Sequence, residues 1–535
     1  MVEHLAVTDG HRTLIVVRER VARQLPCEPE PRTVSPAQYD TARDLAGQWP
    51  ADYVLVETTP RDPVLVTAGA CRTTPLYLAH DSTSLYGSWD MADLSNHITG
   101  LNPREVARLL IYRPRYSSDT PFRGIHRLTE RATAHYGGHL FLRYPEPALH
   151  SGPRDLAPDA DVLGAFVEAM DDAMGLRPLD PAKTVFHLTG GFDSGTLATR
   201  AAERFPGQLS TSALLIGGPG RAQQIRRRKE MRSAVPFADR DDLLDAMVHT
   251  PLHPECARVR GALISPYEEP LHHPFTRMTK TLADHGAHTV VTGLCGDEMV
   301  ALSQAEYPHK AMGDLRDIPL LPWIGKRASA ALEFADDGIA PPAVVNSMSL
   351  LSLETTAPVL LREGIWPVHP FADPGMIQLG EWLPMDWRAL KQLQRRRLAA
   401  LGLSEDVTRP AQRESFAEVV QHALTTYGRP LFARMLHEGS ATGSSTPTDS
   451  GRQYDDSAKE RTARTATPSS SRSSTSTWPP KRFCNPHVGS APRPGRNPRA
   501  QGPTVGGCHS PSTMRSHRCS PCARLPQPTS LPSPP

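Results

Sequence analysis

TVFHLTGGFDSGTLATRAAERF, residues 184–205, runs from an apolar stretch through two glycines, an aspartate and a serine into a helical pattern. A strand that turns on glycines into a helix N-terminus is an anion site. Free backbone N–H groups and the positive helix end face the ligand, and glycine permits its close approach. Gly190 and Gly191 admit backbone shapes closed to other residues. Thr189 and Ser194 add hydroxyl donors. Asp193 is the odd member, because a carboxylate repels phosphate. It makes sense there if it carries Mg2+, which bridges the two. The turn lacks the lysine of G-x-x-x-x-G-K-[ST] and is not a G-x-G-x-x-G fingerprint. A plain Gly-Gly turn with Asp193 capping the helix remains the alternative. Either way the turn is expected to face solvent.

HTVVTGLCGDEMV, residues 288–300, repeats the pattern: a strand, a turn with Gly293 and Gly296, and two acids, Asp297 and Glu298. In parallel α/β sheets, ligands sit at the carboxyl ends of the strands. Two such turns, each offering a carboxylate, would flank one Mg2+–nucleotide.

Around these turns, residues 160–436 alternate strands with helices, which predicts a parallel sheet. DVLGAFVEAMDDAMGL is amphipathic, STSALLIG is a further strand, and MIQLGEWL and SFAEVVQHAL read as helices. Residues 1–150 differ. RTLIVV, DYVLVET, PVLVTAG, PLYLAHD and SLYGSWD are short β-rich runs, and HYGGHLFLRY reads as a hairpin. NPREVARLLIY reads as a helix with Asn102 as its cap and Pro103 at its first position. The expected body is thus an antiparallel β-rich domain followed by an α/β domain.

From residue 441 to 535 about a third of the residues are Pro or Ser, and no acid follows Glu460. Such a segment cannot bury enough apolar surface to offset its ordering entropy. It reads as a disordered tail or as an out-of-frame reading of a GC-rich gene. The tail carries 13 Lys/Arg against 4 Asp/Glu, so the net charge of +2 leaves the body near −7. A mildly acidic body is not that of a nucleic-acid binder. No apolar run approaches the ~20 residues of a membrane helix, and the N-terminus lacks a secretory signal. A cytoplasmic protein with its eight cysteines reduced is the expectation. CSPC, Cys519–Cys522, with Cys508, His509 and His517, has zinc-like parts in a tail whose composition argues against a folded site. RRRKEMR, 226–232, reads as a solvated helix face.

The stretch Thr189–Gly190–Gly191–Phe192–Asp193–Ser194–Gly195 resembles the S-G-G-x-D-S-S pyrophosphate loop of N-type ATP pyrophosphatases. EEP and VVTGLCGDE resemble the D-E-P and S-G-x-G-[GS]-D-E stretches of the class B asparagine synthetase family. LLREGIWPVHPFADPGMIQLGEWLP resembles that family's R-x-G-x-E-x-R-x-P-F-L-D segment. KQLQRRRLAALGLSEDVTRPAQRESF resembles its closing K-x-x-L-R … R-x-K-x-x-F. PLYLAHDSTSLYGSWDMADL and TPFRGIHRLTERATAHY resemble parts of its glutaminase domain. The resemblance spans about residues 50–436. It implies an N-terminal-nucleophile-like remnant (1–150) and an adenylating domain of the adenine nucleotide alpha hydrolase type (160–436). It also implies ATP and Mg2+ as cofactors, with carboxylate adenylation, pyrophosphate release and amide formation. By matching positions, Thr189, Gly190, Gly191, Asp193, Ser194, Gly293 and Gly296 would hold the nucleotide, and Asp193 and Asp297 the Mg2+.

The sequence departs from the family at three places. Val2 stands where glutaminase members carry the nucleophilic cysteine, so glutamine hydrolysis is not expected. Leu294 stands where asparagine synthetases carry a Glu and β-lactam synthetases a Tyr that helps deprotonate the amine. The base must then come from Glu298, from His272 or His273, or from solvent. Arg413 falls near the lysine that stabilises the transition states, and Arg395 is a candidate for the nucleotide or acyl phosphate. Cys295, at a usual glycine position, reads as a buried structural thiol. A member without glutaminase takes its amine from the substrate. That favours macrolactam closure of a lasso-type peptide, with a precursor peptide and its leader protease as partners. β-Lactam synthetase-like closure and ammonia-using asparagine synthesis are the alternatives among enzymes. An inactive binding scaffold is the alternative of another class.

Overall fold

Alternating side chains build the first half. In the strand Thr13–Glu19, Leu14 and Val16 are fully buried while Ile15 and Val17 face outward. This strand pairs antiparallel with Val2–Thr8 and with Tyr53–Thr58. The sheet extends through Val64–Ala68 and Thr133–Tyr136 to Leu140–Arg143, and Arg32–Thr33 closes the far edge in parallel. Helix Pro36–Gly47 starts on a capping box of Ser35 and Gln38 and packs Tyr39 and Ala46 against Leu14, Val16 and Leu55. A three-stranded sheet holds Tyr77–His80 between His126–Arg127 and Leu85–Ser88. Each of the five runs singled out in the sequence overlaps one of these strands. The hairpin and the helix Pro103–Leu110, capped by Asn102, are present too.

The computed structural model describes residues 1–24, 30–302, 306, 321 and 323–437. The Pro/Ser-rich stretch 441–535, with its CSPC motif, lies outside the described residues. So does Cys27; among the described residues Cys71, Cys256 and Cys295 are free thiols. No helix among them is long and apolar enough to cross a membrane.

The second half has the α/β character expected of it. Five strands form one sheet in the order Asp241–Asp245, Ser210–Leu215, Thr184–His187, Thr289–Val291, Trp366–Val368, and every pairing is parallel. The chain starts at the central strand Thr184–His187, winds outward to Asp241–Asp245, then returns to the other side at Thr289–Val291. The winding direction therefore reverses between Thr184–His187 and Thr289–Val291, where such sheets open a crevice at the strands' carboxyl ends. Phe186, Leu188, Leu197, Met231, Val291, Phe371, Leu393 and Leu398 share one core beneath that crevice.

Both halves belong to one contact unit, Met1–Asn485. The buried carboxylate of Glu19 joins them: it accepts from Arg177 Nε and Nη2, both at 2.8 Å, and from Trp366 Nε1 at 2.6 Å. Burial raises the cost of its charge, but Arg177 holds its pKa below the ordinary value. Arg127 and Tyr77 meet Glu354 in the same way, and Arg362 bridges Asp90 and Glu268.

The Arg cluster at 226–232 is not simply a solvated face. Arg226 is exposed beside Asp406, but Arg227 and Arg228 are each 2 % exposed and pair with Glu414 and Asp241. Acids distant in sequence make their burial affordable.

Two outcomes follow. Glu19→Gln leaves Arg177 buried without a counter-charge and is expected to cost about 3–5 kcal/mol in reversible denaturation. Glu268 is drawn down to about 2: burial pushes it up, but hydrogen bonds from Arg362 and His272 prevail. A depressed carboxylate gives stability that is full above its unfolded pKa and is lost as pH falls through the folded one. Stability contributed by Glu268 is therefore expected to disappear between the ordinary value of 4.5 and about pH 2. Glu268→Gln should flatten an acid-denaturation profile in that window.

Candidate functional site

The two glycine turns lie at the ends of the strands Thr184–His187 and Thr289–Val291, at the reversal of the sheet, and they touch. A Cβ on Gly293 would stand 2.5 Å from Ser194 N, and one on Gly296 would stand 2.5 Å from Asp193 Cγ. Real contacts at that distance do not occur, so both positions require glycine for packing. Gly190 has φ +94, a backbone shape that also favours glycine. Cys295 takes the left-handed conformation at φ 72, which explains why glycine would be the easier residue there; its thiol is buried in the core as expected.

Helix Phe192–Arg204 begins at Gly191 with no side-chain cap, which leaves its first N–H groups for a ligand. Asp193 is inside the first turn and does not cap it. Thr189 and Ser194 turn inward. Their hydroxyls lie 2.9 Å apart, Ser194 Oγ accepts from Thr189 N and Thr189 Oγ1 accepts from Gly191 N. They shape the loop, and because only one O–H is used between them, one hydroxyl proton of the pair is left to donate. Gln224, fully buried, donates to Thr189 O at 3.0 Å and accepts from Ile216 N, tying the loop to the neighbouring strand's end.

The expected solvent-facing position of Asp193 is corrected: its side chain is 16 % exposed, because the second turn and Lys391 cover it. Lys391 is the residue the sequence did not single out for the site. Its ammonium pairs with Asp193 Oδ2 and lies 2.8 Å from Asp297 Oδ1. One cation is thus held by carboxylates from both turns. Burial lowers the Lys391 pKa, but Asp193 and Asp297 together raise it above the ordinary lysine value. Burial raises Asp193; Lys391 draws it back, and Asp297 pushes it up again, so it stands above the ordinary aspartate value. Gln394 completes the link, with Nε2 at 3.3 Å from Asp193 Oδ1 and 3.4 Å from Gly296 O.

Lys391 is placed by strained backbone. Leu390 and Lys391 are both left-handed, at φ 54 and φ 59, just before helix Gln392–Ala400. Two successive non-glycine residues there cost roughly 1–2 kcal/mol each. Strain of this kind concentrates where geometry serves a site.

Other candidates fall around this centre. Arg395 lies over the Phe192 ring, 4.2 Å from its centroid, and donates to Leu390 O and Thr408 O. It braces the Lys391 turn. Arg413 is exposed, and no hydrogen bond or ion pair joins it to the turns among the described residues. Its neighbour Glu414 does reach them. Glu414 Oε1 would be 3.0 Å from a Cβ on Gly190, and Arg227 Nη1 holds that oxygen at 2.6 Å. A carboxylate thus lies where the turn admits an anion. Glu298 is half-buried, and burial, then Asp297, raise its pKa. His272 and His273 find their charge and ring partners in Cys256, Glu268, His249 and His253, none of them from the turns.

No family model matches the chain, and no curated protein matches it.

The close approach of the turns gives a direct outcome. Gly293→Ala is expected to destabilise the protein by about 2 kcal/mol or more, the cost of overpacking against backbone. Gly47→Ala, where a Cβ meets nothing within 4 Å, should be neutral or slightly stabilising. Denaturant midpoints of the two variants measure the difference.

Proposed function

We propose that the chain is an ATP-dependent, amide-forming ligase related in type to asparagine synthetases, most specifically a macrolactam cyclase of a lasso-type peptide. The observation that carries this reading is the pair of touching glycine turns at the sheet reversal, whose carboxylates share one cation beside an uncapped helix N-terminus. That arrangement suits a polyphosphate with a bridging metal. The ammonium of Lys391 meets Asp193 and Asp297 together, which supports a common reach of the two carboxylates; a metal ion there would displace it. These residues therefore fit Mg2+, which when bound would neutralise charge on the leaving pyrophosphate.

The chain's own residues do the rest. Uncapped N–H groups at the start of helix Phe192–Arg204 take phosphate oxygens, with Glu414 withdrawing on its Arg227 tether as the anion enters. A substrate carboxylate attacks the α-phosphorus, and pyrophosphate leaves along the turn. The substrate's amine then attacks the acyl carbon, AMP leaves, and the amine's proton passes to a base. Leu294 cannot accept it. Glu298 can, since a carboxylate with a raised pKa is better matched to a base's task at neutral pH. In this reading the attacking amine belongs to the substrate itself.

A second reading, a non-catalytic binding scaffold, draws on Glu414 lying against the turn and on the exposed Arg413. Product analysis separates the two. ATP consumption with the peptide substrate should yield AMP and pyrophosphate, with no glutamate released from glutamine. ADP and phosphate as main products would overturn the ligase reading, and no turnover or exchange would favour the scaffold. Glu298→Gln should retain ATP–pyrophosphate exchange and lose amide formation. Equal loss of both would remove Glu298 as the base.

A further inference from the structure

Away from the glycine turns, the irregular segment after strand Asp241–Asp245 folds back on the first turn of helix His272–Asp284. It brings His253 and Glu255 beside His273. Each of the three offers a ligand atom, and these atoms all lie within 4.8 Å of one another. His273 is 6 % exposed, yet its Nε2 has no hydrogen-bond partner. Buried polar atoms are rarely left so, and an orphan of this kind calls for a partner the protein atoms do not supply.

The His253 and His273 rings are stacked, parallel within 1°, with centroids 5.3 Å apart. An imidazole nitrogen ligates along a lone pair in its own ring plane, so one of the two rings must turn for both to meet a single ion.

We propose that His253, Glu255 and His273 form a three-ligand site for a zinc-class divalent cation. Two imidazoles and a carboxylate suit zinc and its neighbours rather than the all-oxygen preference of Mg2+. Three protein ligands leave a fourth position open, as catalytic zinc sites do. Glu255 and His273 line a cavity of about 340 Å3 whose wall also carries Arg260 and Arg277. The fourth ligand is therefore water or a small anion such as a carboxylate. One contact must yield: Glu255 N donates to His253 Nδ1 at 3.2 Å. A neutral imidazole cannot accept at one nitrogen and ligate through the other, so binding flips this ring or releases that bond.

The test uses the full chain without an affinity tag, stripped with EDTA, desalted, and titrated with Zn2+ and Co2+. One high-affinity equivalent is expected, with a Co2+ visible spectrum free of a thiolate charge-transfer band. Glu255→Gln, at an exposed position, and His253→Gln should each weaken binding at least ~10-fold, no less than the loss of an outer-shell partner costs. Unchanged thermal unfolding of both variants in EDTA keeps a folding defect from imitating this result. Absence of binding, unchanged affinity in both variants, or a thiolate band abolished by Cys519→Ser with Cys522→Ser would overturn the proposal.

Discussion

The contact between two glycine turns is the constraint on which the site depends. Gly293 and Gly296 let the chain after Thr289–Val291 press against Ser194 and Asp193, at distances no other residue permits. The parallel sheet supplies the place, because its winding reverses between the two strands that carry the turns. Asp193 and Asp297 come from different turns, so neither turn alone would pair them. Pressed together, they give Asp193 and Asp297 a common cation in Lys391.

Several local costs are understandable from that arrangement. Cys295, Leu390 and Lys391 all sit in left-handed backbone; Cys295 is in the second turn and Lys391 pairs with the aspartates of both. Leu390 is also 71 % exposed, an apolar residue held in a strained shape beside a charged cluster. Packing beneath pays for this: Leu188, Leu393, Leu398 and Met231 form one core under both turns and the Lys391 helix. Glu19, from the first sheet, fixes Arg177 and Trp366 and so ties the far edge of the parallel sheet to the N-terminal half. The site is supported from below by apolar packing and from the side by buried ion pairs.

Much of this was legible in the sequence, and the exceptions have physical reasons. Strands with alternating or continuous apolar residues, such as Thr13–Glu19 and Ser210–Leu215, announce themselves. Asp241–Asp245 does not, because it is an edge strand whose acids are matched by Arg228, Arg232 and Arg240. The turn residues were visible from their glycines and acids. Lys391 was not, since it meets Asp193 across 198 residues and its aim depends on two left-handed residues that carry no glycine signal. Glu414 was hidden for a similar reason: its approach to Gly190 is secured by Arg227, which pattern reading placed on a solvated face.

The central claim is that Asp193 and Asp297 act as one unit around a shared cation, and a double-mutant cycle on ATP–pyrophosphate exchange tests it most directly. Asp193→Asn and Asp297→Asn are each expected to slow exchange by orders of magnitude, about 3–4 kcal/mol of lost stabilisation. The double variant should be little worse than either single, because members of one constellation are not additive. Multiplicative losses would contradict a shared cation, and normal exchange in both single variants would contradict the site itself.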